Sequence, residues 1–290
     1  MNAFKKELET FYAKLPVINC LRCANCCRKL RPSFGITEFV YFMSRLFENK
    51  SKDEIVDSAN KKTRSPGCVF LGAEGTCSVH QYRPFACRVF GVRVSHEGSI
   101  INEYHDDYAD KGKNVPIGPV VTLKEVNLLN KELDDINRKV FPIEPPYWIS
   151  GLTFESWLSL YMDDGLRDGR LRKLRSILRE HIDLGFLEGR YRDNVGIARD
   201  LEDFHKSQRL FDEKRYREAF MGFFTCKRDV LDDYATQERR FYCAMCLEIL
   251  GNPDEARRIY ESVFIKTVYR DDVLAKKASE KLQCLAKNKR

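Results

Sequence analysis

Lys214-Arg215-Tyr216-Arg217-Glu218-Ala219 and Gly251-Asn252-Pro253-Asp254-Glu255-Ala256 align at a separation of 37 residues, each between two apolar-periodic segments. In the second copy Asn252 can cap a helix, Pro253 suits its first position, and Asp254 and Glu255 suit the positive end of its dipole. The implied unit is helix, tight turn, helix. Residues 272–286, with Ala275, Ala278, Leu282 and Leu285 at helical spacing, predict a closing helix that shields the last unit from water.

The same periodicity recurs upstream. Thr122 and Glu125 form a capping box, after which Val126, Leu129, Leu133, Ile136 and Val140 step by three and four until Pro142. Pro145-Pro146-Tyr147-Trp148 reads as a rigid connector, followed by a helix with Phe154, Trp157, Leu158 and Tyr161 on its apolar side. Aromatics at helical spacing are read as core and not as a ligand cage. Two further helices open near Thr37, with Phe39, Met43, Leu46 and Phe47 on one stripe, and at Ser51, where Glu54 completes a capping box before Ile55 and Ala59. His96-Glu97-Gly98-Ser99 and Asp110-Lys111-Gly112 are turn-rich and predict a short hairpin. The fold class expected is mainly α, in three regions: an irregular cysteine-rich metal-binding region with a helical excursion over 1–95, a mostly helical continuation of the same domain over 96–198, and a helical repeat over 199–290.

A chain of 290 residues with 43% hydrophobic content can bury a core without disulfide staples. The eleven cysteines therefore need another explanation. Lys5, Lys6, Glu7 and Glu9 interrupt every apolar run among the first 16 residues, so no signal-peptide core is drawn there. No window approaches the roughly 18 apolar residues of a membrane span. The expected setting is a reducing cytoplasm, where clustered cysteines tend to be ligands or catalysts. The net charge of +7 is spread among almost as many acids as bases, and no membrane or nucleic-acid partner is expected. The densest basic run, Arg167, Arg170, Arg172, Lys173, Arg175 and Arg179, is threaded by Leu171, Leu174, Leu178 and Ile182 and reads as the solvated face of an amphipathic helix.

Seven of the cysteines fall in two groups, Cys20, Cys23, Cys26 and Cys27, then Cys68, Cys77 and Cys87. Two residues between cysteines let successive sulfurs turn back toward one point, a spacing shared by zinc and iron–sulfur sites. Adjacent Cys26 and Cys27 do not easily face one centre, so one of them belongs to a second site, bridges two ions or is a spare thiol. Four thiolates around a divalent ion leave a charge near minus two. Arg22, Arg28, Lys29, Arg31, Arg83 and Arg88 stand near enough in sequence to offset it. Cys226, Cys243, Cys246 and Cys284 fall on the predicted repeat helices and read as small core hydrophobes, despite the CxxC spacing of Cys243 and Cys246.

The cysteine stretch resembles the YkgJ-type cysteine-cluster family, described as a zinc- or iron-chelating domain. Its CxxCxxCC-Arg pattern is matched by Cys20, Cys23, Cys26, Cys27 and Arg28. The second half is matched by Cys68, Phe70, Leu71, Cys77, Arg83, Pro84, Cys87 and Arg88. The resemblance spans about residues 20–93 and implies metal binding through the seven cysteines, by an iron–sulfur cluster or by Zn2+. The surplus over the four ligands of a closed zinc site favours the cluster. His80 departs from the pattern and is a candidate nitrogen ligand or a neighbour of the site. The resemblance also brings in flagellin lysine methylases, which implies S-adenosylmethionine-dependent protein-lysine methyl transfer as an alternative. No strand, glycine-rich turn and helix in sequence supports an ordinary nucleotide-binding unit. A scaffold with purely structural zinc is the non-catalytic alternative.

The C-terminal copies resemble the tetratricopeptide repeat over about residues 200–268, with Ala219 and Ala256 at its inter-helix alanine and Phe223 and Tyr260 one turn later. The copies are degenerate, Lys214 standing where the second has Gly251. This resemblance implies a groove for a protein partner.

Overall fold

The structure, a computed structural model, describes residues 2–16, 27, 31–60, 67–72, 74–90, 92–96, 99–100, 119–141, 152–166, 169–191, 197–225, 233–267 and 272–287. It is mainly helical and divides into two compact units, residues 1–162 with 170–195, and residues 163–169 with 196–290. Among the described residues no helix is long and apolar enough to cross a membrane.

In the first unit, α1 (Asn2–Ala13) is followed by β1 (Ser33–Phe34), α2 (Ile36–Asn49), α3 (Lys52–Asn60) and the single-turn α4 (Phe85–Arg88). Then come β2 (Arg93–His96), β3 (Ser99–Ile100), β4 (Val120–Thr122), α5 (Leu123–Val140), β5 (Leu152–Thr153), α6 (Phe154–Met162) and α7 (Gly169–His181). Both capping boxes form. Thr122 Oγ1 accepts from Glu125 N–H and Glu125 accepts from Thr122 N–H at 2.6 Å, while Ser51 and Glu54 exchange the same pair at 3.2 and 2.9 Å. Of the predicted hairpin, the antiparallel pairing of β2 with β3 is present, with Ser95 opposite Ile100 and His96 opposite Ser99. Residues 110–112 and the Pro145–Trp148 connector lie outside the described residues.

Two pairings are additions to the sequence reading. β2 runs parallel to β4, Arg93 to Ser95 opposite Val120 to Thr122, and β1 pairs antiparallel with β5, Ser33 opposite Thr153 and Phe34 opposite Leu152. The second pairing seats α6 on α2. Phe39 stacks on Trp157 at 5.5 Å, the indole N–H donates to the Phe34 carbonyl at 2.9 Å, and Phe70 meets Phe42 and Phe154 at 5.0 and 4.7 Å. The aromatics of α6 are core, as their spacing predicts; Trp157 and Leu158 have no exposed surface. Phe47 departs from the expected stripe. It is 38% exposed at the end of α2, against the Phe186 ring, because the buried face is already filled by Phe39, Met43 and Leu46. In α7 Leu171, Leu174, Leu178 and the following Ile182 are buried and Arg172, Lys173 and Arg179 exposed, as an amphipathic helix requires. Arg175 and Arg179 turn back to the Tyr161 carbonyl at the end of α6, at 3.0 and 3.4 Å.

The second unit is built from α8 (Ile197–Asp212), α9 (Tyr216–Thr225), α10 (Asp233–Ile249), α11 (Pro253–Thr267) and α12 (Asp272–Lys287), each packed on the next. The 37-residue correspondence is exact at the turns. Arg215 N–H bonds the Leu210 carbonyl and Lys214 N–H that of Phe211; Asn252 N–H bonds Leu247 and Gly251 N–H bonds Glu248. Lys214 and Gly251 both take the left-handed conformation, φ 62° and 88°, that closes this Schellman turn. Ala219 and Ala256, Phe223 and Tyr260 have no exposed surface. α12 covers the last hairpin with Leu274, Ala278 and Leu285, as a closing helix should.

Candidate metal centre

Cys20, Cys23 and Cys26 lie outside the described residues, as do Arg22, Arg28 and Lys29. The other four cysteines of the two groups are described: Cys68 is buried, and Cys27, Cys77 and Cys87 are partly buried. One bond joins the groups. The Cys68 N–H donates to the Cys27 carbonyl at 2.6 Å, so the end of the first motif and the start of the second run side by side, although 40 residues of sequence separate them.

From Cys68 the chain folds into a compact loop. Leu71 N–H returns to the Cys68 carbonyl at 3.2 Å, Gly72 N–H to Thr76 at 2.8 Å, and Ser78 N–H to Phe70 at 3.0 Å, while Leu71 and Cys77 form an isolated antiparallel bridge. Gly75, at φ 72°, makes the reversal, a conformation that glycine adopts without penalty. The loop is nailed to the protein by Phe70, 2% exposed in the aromatic core between Phe42 and Phe154. In Cys-x-Phe-Leu the Phe70 ring thus fills the core, with Cys68 itself buried beside it at the start of the loop.

After Cys77, a 3-10 turn over His80–Tyr82 leads through Arg83-Pro84 into α4, which carries Cys87. Tyr82 packs on Phe42 at 5.5 Å, and its hydroxyl is held above the usual range first by burial and then by the nearby Cys77. Of the counter-charges that the sequence offers, Arg83 and Arg88 are engaged within the loop itself. Arg88 donates to the carbonyls of Arg83 at 2.8 Å and Gln81 at 3.1 Å, and its guanidinium lies 4.1 Å from the centre of the Tyr12 ring. Arg83 meets Nε2 of His80, and Arg31 faces Glu155 at 3.9 Å. The Arg83 contact engages one of the two His80 ring nitrogens through which a metal can be bound.

Sequence reasoning missed Glu38. It sits at the third position of α2, reaches back to the Gly35 N–H at 3.0 Å, and also accepts from the Tyr12 hydroxyl at 2.7 Å and the Phe85 N–H at 2.6 Å. Burial raises its carboxyl above the ordinary value, against the opposing effect of these three donors and of Arg88. Its spacing from Gly35 carried a local signal of capping; the bonds to Tyr12 and Phe85 had none.

Among the described residues no three His, Cys, Asp or Glu side chains stand together as a metal-ligand group. The donor chemistry nonetheless fits zinc or an iron–sulfur cluster, because the two groups supply thiols, of which Cys68 and Cys77 sit on a short, backbone-braced loop. In the second unit Cys243 and Cys246 are buried in α10, and burial pushes the Cys246 thiol up to about 11, which suits a packed thiol and not a ligand thiolate. Cys226 lies outside the described residues and Cys284 is exposed.

No curated protein and no solved structure matches the chain. A family model with the description "CxxCxxCC: Putative zinc- or iron-chelating domain" matches residues 19–106, under a third of the chain and inclusive of all seven clustered cysteines. That segment is thus similar to a zinc- or iron-chelating domain.

Proposed function

We propose that the protein binds a metal centre through thiolates drawn from Cys20, Cys23, Cys26, Cys27, Cys68, Cys77 and Cys87, and that the centre is an iron–sulfur cluster, with Zn2+ as the rival. The observation that carries this reading is the 2.6 Å bond from Cys68 N–H to the Cys27 carbonyl, which sets the last cysteine of the first group beside the first of the second. A four-ligand zinc site would leave three of these seven cysteines over, whereas a cluster or a pair of centres uses more of them. Analysis of anaerobically purified protein for iron, zinc and acid-labile sulfide is the test. Iron with matching sulfide supports the cluster; stoichiometric zinc without iron or sulfide overturns it; no bound metal of any kind overturns the whole reading.

The helical stack of the second unit is assigned to docking a protein partner, in line with its resemblance to the tetratricopeptide repeat. Phe224 and Met221 on α9 are 63% and 53% exposed, more than a core role allows. Under this assignment M221A and F224A weaken partner binding while leaving metal content unchanged.

A further inference from the structure

Glu38 is 3% exposed and takes hydrogen bonds from three separate segments: the Tyr12 hydroxyl of α1, the Gly35 N–H before α2, and the N–H of Phe85, first residue of α4. Cys87 lies two residues beyond Phe85 on that single turn. Four residues of helix have no stability of their own, so the direction of α4 is set by what holds it. Its contacts include the Phe85 ring against Phe11 at 5.6 Å, Arg88 on the Arg83 and Gln81 carbonyls and over the Tyr12 ring, and packing on β1. None of these ties its first turn to α2 by a directional bond. The Glu38 carboxylate does, through the 2.6 Å bond, and Tyr12 in turn holds the carboxylate. A buried carboxylate is costly wherever an apolar side chain would fill the same space, which makes its directional bonds the property that an apolar residue would lack.

We infer that Glu38, held by Tyr12, is a positioning residue for Cys87: it fixes the direction in which that thiolate is offered to the metal centre. The inference rests on the metal-binding reading above. Outer groups of this kind typically change metal affinity by about 10- to 100-fold. A role in folding alone would weaken binding whether or not Cys87 is present, and a role through Cys87 would not.

The test is a double-mutant cycle on the full metal-free chain, titrated with Co2+ and read by thiolate-to-cobalt charge-transfer absorption. E38Q keeps the size of the side chain and offers one carbonyl to three donors; it is expected to weaken Co2+ binding about tenfold. In the C87A background the same substitution is expected to add nothing. An equal loss with and without Cys87, or no loss at all, overturns the inference. If circular dichroism shows E38Q unfolded, Y12F replaces it in the same cycle with a smaller expected loss, since it removes one donor and keeps the ring beneath Arg88. A wild-type chain with no charge-transfer band overturns the parent reading and this inference with it. A band that C87A leaves unchanged overturns only the inference.

Discussion

Lys214 and Gly251 occupy the same position of two Schellman turns, and only one of them is free of side-chain strain there. A Cβ in the left-handed region costs about 1–2 kcal/mol, while glycine loses about 0.5–1 kcal/mol more chain entropy on folding than other residues. K214G is therefore expected to stabilise the second unit by about 0.5–1 kcal/mol, and G251A to destabilise it by a similar amount. Urea unfolding of the two variants checks the opposite signs; a destabilised K214G contradicts the assignment. Cys246 supplies a second prediction at this scale. Its folded thiol stands at about 11 against an ordinary 9.0, so both states keep the proton below pH 9. Between pH 9 and 11 the unfolded chain releases the proton and the folded chain does not, so stability falls as pH rises through that window. C246A should flatten the fall. At pH 8, iodoacetamide should label exposed Cys284 and spare Cys246 in the folded protein, with mass spectrometry of the labelled peptides as the readout.

At the scale of elements, α8 and α9 cross where neither tolerates bulk. A Cβ at Gly222 would lie 2.1 Å from Ser207 Oγ and 3.2 Å from Ser207 Cβ, and Ser207 Oγ is already bonded to the Asp203 carbonyl at 2.7 Å. G222A is expected to cost about 1–3 kcal/mol by overpacking, and S207A in the same chain to return part of it by removing the nearer atom. Thermal unfolding of the single and double variants tests this; a double variant no better than G222A contradicts it. The elements also show what sequence can disclose. Capping at Ser51 and Thr122, the buried stripe of α7 and the paired turns of α8–α9 and α10–α11 all depend on residues within a few positions of one another, and each was legible. The β1–β5 pairing was not, because two-residue strands have no period and Phe34 meets Leu152 across more than a hundred residues. Arg88 shows the same limit beside the cysteines. Sequence gives its charge and its neighbourhood, but only the folded chain reveals that this charge is directed at two carbonyls and an aromatic face.

For the whole molecule, the proposed metal site and the core are linked through the Phe70 ring. Cys68 and Phe70 share a loop that the Phe70 ring anchors against Phe42 and Phe154, so whatever fixes the cysteine also fixes the ring. A ligand bound to the folded state alone adds about 2.7 kcal/mol at a hundredfold excess over its dissociation constant. Under the proposed function that energy would enter at residues 67–78 and pass into α2 and α6 by direct ring contact. Removing the metal with a chelator should therefore raise hydrogen exchange in peptides from residues 36–49, 67–78 and 154–162. Peptides from 197–225 and 233–267, whose core is Phe223, Phe241, Tyr260 and their neighbours, should exchange as before. F70A, which keeps every cysteine, should reproduce the α2 and α6 changes with metal still present and weaken metal retention as well. Peptide-resolved exchange by mass spectrometry distinguishes this from a general loosening: equal gains in both units, or none in α2 and α6, would show that the cysteine loop is not coupled to the aromatic core.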